Sequence, residues 1–191
     1  MYKVLISDVM DSVAEEILLA NGIEVDVKTN FTEEQLTDQI PFYDGLIVRS
    51  ATKVNKNIIA KARNLKIIGR AGSGVDNIDL ISAKEKNIIV MNTPGGNTNA
   101  TAEHTLSLMM SLLRNIPLAN KGTHQGLWEK KKFKGYEARG KNVGIIGFGN
   151  VGKRFSEICL MLGMNVSVFS KSFANISKNY PNINPVSFNE L

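Results

Sequence analysis

The residues best suited to chemistry are Gly147-Phe148-Gly149-Asn150-Val151-Gly152, a G-x-G-x-x-G between the apolar run Val143-Gly144-Ile145-Ile146 and a helix-like segment. In that setting each glycine has its own task. Gly147 turns the chain sharply out of a strand, Gly149 bares the backbone to a pyrophosphate, and Gly152 lets helix and strand close on each other. Backbone N–H groups around Asn150 and Val151 then point at anionic oxygens, reinforced by the helix dipole. Without a strand before it and a helix after it, the same pattern would be a glycine-rich turn with no ligand.

About 20 residues further on, a carboxylate normally accepts from the ribose 2′-hydroxyl of NAD. This chain reads Phe169-Ser170-Lys171-Ser172 there. No carboxylate repels a 2′-phosphate, Ser170 and Ser172 can donate hydrogen bonds, and Lys171 adds positive charge. The reading leans to NADP, with NAD held in another way as the alternative.

Two arginines mark a second candidate site. Arg49 follows Gly45-Leu46-Ile47-Val48 and Arg70 follows Ile67-Ile68-Gly69, so both stand at the carboxyl ends of strands, where open α/β sheets gather ligands. The planar guanidinium suits a carboxylate or phosphate. The loop Gly72-Ser73-Gly74-Val75-Asp76 could add an anion nest of consecutive N–H groups, and a surface ion pair is the competing role for the arginines. His104 and His124 have no metal-ligand spacing and no nucleophile to activate, which leaves them structural or surface roles. Cys159, the only cysteine, reads as a small core residue.

These groups need a frame to hold them. Strand signals at 3–7, 24–27, 45–49, 65–69 and 88–91 alternate with helix signals at 12–21, 32–39, 56–62 and 80–86. The last four strands read as buried on both faces, the pattern of a parallel sheet wrapped by helices. Thr32 and Gln35 form a capping-box signature, and Gly22 suits a left-handed helix terminus. Pro94, Gly95 and Gly96 mark a boundary, after which Thr98 or Asn99 can cap a helix over 102–115. The wide apolar cover of that helix (Leu106, Met109, Met110, Leu112, Leu113) predicts burial between layers, domains or subunits. Pro117 ends it, and 119–140 reads as a polar, basic arm with exposed aromatics Trp128, Phe133 and Tyr136. Strand 142–147, helix 151–162 and strand 165–169 complete the glycine-motif unit. Residues 181–191 feed a further helix, with Ser187 as its cap.

A hydrophobic content of 43% against 21% charged residues suits a globular domain or two. No apolar run reaches membrane-spanning length and the first residues read as a strand, so the protein is expected in the cytoplasm. The net charge of +5 is scattered apart from Lys130-Lys131-Lys132. No nucleic-acid module accompanies that run, so it reads as a solvated loop.

Taken together, several stretches resemble the D-2-hydroxyacid dehydrogenases. They are Leu46–Val54, Ile68–Asp79, Val90–Thr98, Ala102–Thr105, Arg114–Pro117, Trp128–Phe133 and the glycine motif. The likeness implies an α/β chain with a flavodoxin-like substrate domain over 1–97 and the first part of a Rossmann dinucleotide-binding domain over 98–191. It implies substrate ligands Arg49, Ser50, Arg70, Ser73 and Gly74. For NAD or NADP it implies Ser73, Gly147, Gly149, Asn150, Val151, Gly152, Ser170 and Lys171.

The implied reaction is hydride transfer to or from C2 of a small anionic 2-hydroxy or 2-keto acid, above all D-3-phosphoglycerate at the opening step of serine synthesis. The family's His/Glu acid–base pair and a further arginine fall later than these 191 residues. The expectation is therefore a truncated, catalytically incomplete chain with no catalytic residue and no metal site of its own. The resemblance also implies a homo-oligomer, dimer or tetramer, formed by the apolar helix and the arm. Three other readings stay open: an NADPH-dependent glyoxylate or hydroxypyruvate reductase, a nucleotide-sensing binding module, and a chain that acts by pairing with longer subunits.

Overall fold

The computed structural model describes residues 1–171 and 173–191. The chain divides into two compact units, Met1–Gly96 and Asn97–Leu191. In the first, β1 (Lys3–Ile6), β2 (Glu24–Val27), β3 (Gly45–Val48), β4 (Ile67–Arg70) and β5 (Ile89–Asn92) form one parallel sheet ordered β2-β1-β3-β4-β5. That order is flavodoxin-like, with its switch point between β1 and β3. Between the strands run α1 (Val13–Ala20), α2 (Glu33–Gln39), α3 (Lys56–Lys61) and α4 (Leu80–Glu85).

Short polar side chains start α2, α3 and α4 by satisfying their orphan N–H groups. The Thr32 hydroxyl accepts from Gln35 N–H at 3.2 Å, and Gln35 Oε1 accepts from Thr32 N–H at 2.9 Å, completing the capping box. Asn55 Oδ1 accepts from the N–H groups of Asn57 and Ile58, and Asp79 Oδ1 from that of Ser82 at 2.8 Å. Gly22 takes φ 73° just beyond α1, as its position suggested.

The core joins Leu5, Leu46, Val48 and Ile68 of the sheet to Leu36, Ile58, Ile59 and Ala83 of α2, α3 and α4. Burial on both faces holds for the inner strands but not for β2 and β5, whose outward residues remain exposed. These are the sheet edges, and on β5 the apolar Ile89 and Met91 lie 60% and 54% exposed. Buried Tyr43 anchors a charged cluster on the β2 side. Its hydroxyl donates to Asp26 Oδ2 at 2.6 Å and accepts from Lys28 Nζ at 3.1 Å, while Lys28 and Lys3 pair with the same carboxylate at 3.2 and 3.3 Å. The Tyr43 hydrogen bond, aided by those of Lys28 and Lys3, holds the Asp26 carboxyl down at about 2.

The second unit contains α5 (Thr98–Leu113), α6 (Ile116–His124), β6 (Asn142–Ile146), α7 (Asn150–Met161), β7 (Asn165–Phe169), α8 (Phe173–Ile176) and β8 (Ile183–Pro185). β6, β7 and β8 form a parallel sheet in that order. Its core gathers Ala102, Ile145, Phe148, Phe155, Ile158, Cys159, Val166, Val168 and Phe173. α5 packs against α7.

Several sequence expectations need correction here. Pro117 does not end helical structure. It lies in the first turn of α6, where a missing N–H does no harm, and the break is made by left-handed Asn115 at φ 55°. The arm therefore starts after His124. α5 begins at Thr98 with Asn97 as cap, so Thr98 and Asn99 are helical rather than capping. Leu106, Met109, Met110 and Leu113 pack on the core, but Leu112 is 79% exposed, which limits the apolar cover to one face. β8 lies in the 181–191 segment that reads as feeding a helix, and α8 in a stretch without a helix signal of its own. Ser187 does cap the final turn, a 3-10 helix at Phe188–Glu190, and its N–H and hydroxyl both donate to the Glu190 carboxylate. In the arm, Trp128 and Tyr136 are exposed and Phe133 is half-buried. Among the described residues no helix is long and apolar enough to cross a membrane.

Candidate functional site

In the second unit the glycine motif sits where β6 hands over to α7. Gly147 has φ 96°, a conformation only glycine adopts freely, and its N–H donates to the Phe169 carbonyl at 2.8 Å. That bond ties the turn to the end of β7. Gly149 is the cap residue of α7, and a Cβ built on it meets nothing within 4 Å. A Cβ on Gly152 would instead strike the Gly147 carbonyl oxygen and lie 3.2 Å from its carbon, so helix and turn touch backbone to backbone. Asn150 and Val151 open α7, and the first N–H groups of a helix have no partner within it. The turn is braced from below by Phe148, whose ring packs at 4.3 Å on Phe173 and edge-on at 4.9 Å on Tyr180.

Register places Phe169 beside Ile146, so Ser170 and Lys171 emerge at the same sheet edge as the glycine turn. Ser170 is half-buried and Lys171 exposed. Ser172, read as a third ribose donor, lies outside the described residues. This edge fits a dinucleotide: open space for a diphosphate, unshared N–H groups, a helix N-terminus and a cation, with no acidic side chain following β7. His104 is exposed on α5, and His124 Nδ1 lies 3.0 Å from the Asn120 carbonyl oxygen on α6. Cys159 is fully buried, and burial pushes its thiol up to about 11.

In the first unit, both arginines stand at carboxyl ends of strands as expected, and their loops are in contact. Arg49 and Ser50 are exposed just past β3, and Arg49 Nη1 donates to the Val9 carbonyl at 3.0 Å. Arg70 closes β4. Its side chain, 12% exposed, folds back over the following loop, within reach of a Cβ placed on Gly72 or Gly74. Arg70 Nε donates to Asn77 Oδ1 at 3.2 Å, and its Nη2 lies 3.8 Å from Asp76 Oδ1.

None of Gly72, Ser73 and Gly74 has positive φ, and the Gly72 N–H already donates to the Arg70 carbonyl, so the loop is not a left-handed nest. Gly72 leaves room for the guanidinium, which a Cβ there would meet, while a Cβ on Gly74 would come within 2.8 Å of Asp76 Oδ1. The loop is held further by Asn92 Nδ2, which donates to the Ser73 carbonyl at 2.7 Å, and by Thr93 N–H, which donates to that of Gly72 at 3.0 Å.

Sequence reasoning passed over Asp8, Asn77 and Asn92, which organise this edge. Asp8 follows an apolar strand directly and is buried, a signal that was available. Asn77 and Asn92 look like ordinary loop residues in sequence, and only the fold reveals their partners.

Comparison with known proteins gives a consistent result. Residues 4–186 match the family model described as D-isomer specific 2-hydroxyacid dehydrogenase, catalytic domain. A D-3-phosphoglycerate dehydrogenase of Archaeoglobus fulgidus is 47% identical over 167 residues, which cover 87% of this chain and 32% of that protein. The chain thus spans about a third of the length of the curated relatives it matches. Among solved structures, NAD+-bound 3-phosphoglycerate dehydrogenase of Entamoeba histolytica superposes with TM-score 0.73 and 34% identity, covering 89% of this chain and 54% of that one. An acyclic imino acid reductase in complex with NADPH and D-Arg gives TM-score 0.83 at 28% identity, covering 99% and 61%.

Proposed function

We propose, from the premise that this chain belongs to the D-isomer-specific 2-hydroxyacid dehydrogenase family, that the whole protein oxidises D-3-phosphoglycerate to 3-phosphohydroxypyruvate with a nicotinamide dinucleotide. The carrying observation is the glycine turn: empty space at Gly149 and backbone contact at Gly152, directly before the start of α7. Asn150 and Val151 hold the diphosphate through their N–H groups, and Ser170 with Lys171 takes the ribose side. A nicotinamide held at this edge would supply the hydride acceptor for oxidation of the substrate C2 alcohol to a ketone. Arg49 and Arg70, with Ser50, Ser73 and Gly74, hold the anionic groups of the substrate, the guanidinium planes matching carboxylate and phosphate oxygens. High identity to a named D-3-phosphoglycerate dehydrogenase supports this substrate over other 2-hydroxy acids.

A second reading, an NADPH-dependent glyoxylate or hydroxypyruvate reductase, is favoured by Lys171 and by the missing carboxylate after β7. Self-association in the whole protein is supported by the exposed Leu108, Leu112, Ile116 and Leu118 of α5 and α6. Turnover of the whole protein with D-3-phosphoglycerate and with glyoxylate, each with both cofactors, separates the two enzyme readings by nicotinamide absorbance. D-3-phosphoglycerate oxidation is the expected result. Turnover with glyoxylate and NADPH alone would move the assignment to the second reading.

A further inference from the structure

We propose that Asn77, assisted by Asp8, is a positioning residue that fixes the two arginine-bearing loops in one arrangement. This rests on the reading of Arg49 and Arg70 as the ligands of the substrate's anionic groups. The Asn77 amide serves two strand-end loops at once. Its Nδ2 donates to the carbonyls of Arg49 at 2.7 Å and Thr52 at 2.6 Å, and its Oδ1 accepts from Arg70 Nε at 3.2 Å. Its backbone carbonyl accepts from Val54 N–H at 2.8 Å, which locks the loop carrying Asn77 to the loop after β3.

Asp8, 6% exposed at the end of β1, grips the loop after β3 from the other side. Its carboxylate accepts from the N–H of Arg49 and, at 2.6 Å, from the Thr52 hydroxyl, with Thr52 N–H at 3.1 Å. Ser7 Oγ donates to the Thr52 hydroxyl oxygen at 3.1 Å. Residues 49–52 are therefore held by an acceptor on one side and a donor on the other.

The polarity leaves little choice of side chain at 77. The position needs an acceptor toward a guanidinium and two hydrogens toward two carbonyls, which an asparagine amide supplies. An aspartate of the same shape keeps the first bond and sets a bare oxygen against both carbonyls. Restraint at Nε also matters because arginine loses much rotamer freedom on binding, and a side chain already fixed loses less when a ligand arrives.

The test is titration of this chain with D-3-phosphoglycerate, followed by NMR, with NAD titration as the control for the second unit. Asn77→Asp is expected to weaken D-3-phosphoglycerate binding about tenfold, with NAD binding unchanged. Asp8→Asn, whose single acceptor oxygen cannot serve both the Arg49 N–H and the Thr52 hydroxyl, gives the same expectation from a different strand. In an Arg49→Gln background the Asn77→Asp effect shrinks below about twofold, because a residue acting through the arginine has nothing left to position.

Additive losses would overturn the proposal, and so would collapse of the fold in both isosteric variants, which would make the role purely structural. If Arg49→Gln weakens binding while Asn77→Asp and Asp8→Asn are silent, positioning alone fails. If Arg49→Gln and Arg70→Gln leave affinity unchanged, the anion-site reading fails and this inference falls with it.

Discussion

Gly149, which caps α7, and Gly152, inside its first turn, separate binding from folding. At Gly149 the backbone has φ −76° and ψ −166°, extended geometry open to any residue, and an added Cβ touches nothing. Alanine there is a poorer helix cap than glycine but restricts the unfolded chain, and these opposing effects leave stability within about 0.5 kcal/mol. The new methyl nevertheless stands in the space that a diphosphate must enter. Displacing it from one or two N–H donors, each charge-assisted bond contributing about 1.5–3 kcal/mol, lowers dinucleotide affinity by about 10- to 100-fold or more. At Gly152 the added methyl meets a backbone carbonyl that cannot swing aside, with Ile145 Cγ2 3.7 Å away. α7 must then shift off β6, disturbing the burial of Phe155, Ile158 and Cys159, at a cost of about 3 kcal/mol. Urea denaturation followed by far-UV circular dichroism, paired with calorimetric titration of NAD and NADP, reads both quantities. A Gly149→Ala chain that binds dinucleotide as tightly as the parent would refute the pyrophosphate reading of the turn. A Gly152→Ala chain of undiminished stability would refute the packing argument.

Other outcomes follow from the remaining contacts. The Asp26 carboxyl sits at about 2 against an ordinary 3.8, so its contribution to stability is present above pH about 4 and is lost as pH falls toward 2. Tyr43→Phe removes the largest cause of that depression. It should destabilise by about 1 kcal/mol at neutral pH and flatten the acid limb, read from urea midpoints across that range. Lys171→Ala should reduce NADP affinity relative to NAD by about three- to tenfold, measured by titrating both. Asp79→Ala removes the cap of α4 and should cost about 1 kcal/mol in urea denaturation. Cys159 should resist a thiol reagent in the folded protein at mildly alkaline pH and react fully in urea, which mass spectrometry resolves.

The sequence made most of the frame legible because the signals were local. Runs such as Leu46-Ile47-Val48 could only be buried strands, and Thr32 with Gln35 announced a helix start that the structure contains. What escaped was decided by context. Pro117 ends or begins a helix depending on whether a residue just upstream can turn left-handed, and Asn115, two positions before it, does. β8 is three residues long and contains a proline, which an alternation pattern cannot register but an outer strand tolerates. At the candidate sites, the glycines and arginines announced themselves by type and position. The residues that organise the arginine loops did not, because hydrogen bonds spanning about forty positions, such as that from Thr52 to Asp8, leave no periodic trace.

Trp128 is the chain's single tryptophan and lies 83% exposed on the arm. Its fluorescence is therefore that of a hydrated indole in the native state, and melting of either core leaves the emission colour almost where it began. For this protein, intrinsic emission is a poor thermometer of folding. The same insensitivity makes it a quiet background for association: anything that covers the arm shifts the spectrum to the blue with no interior tryptophan signal to subtract.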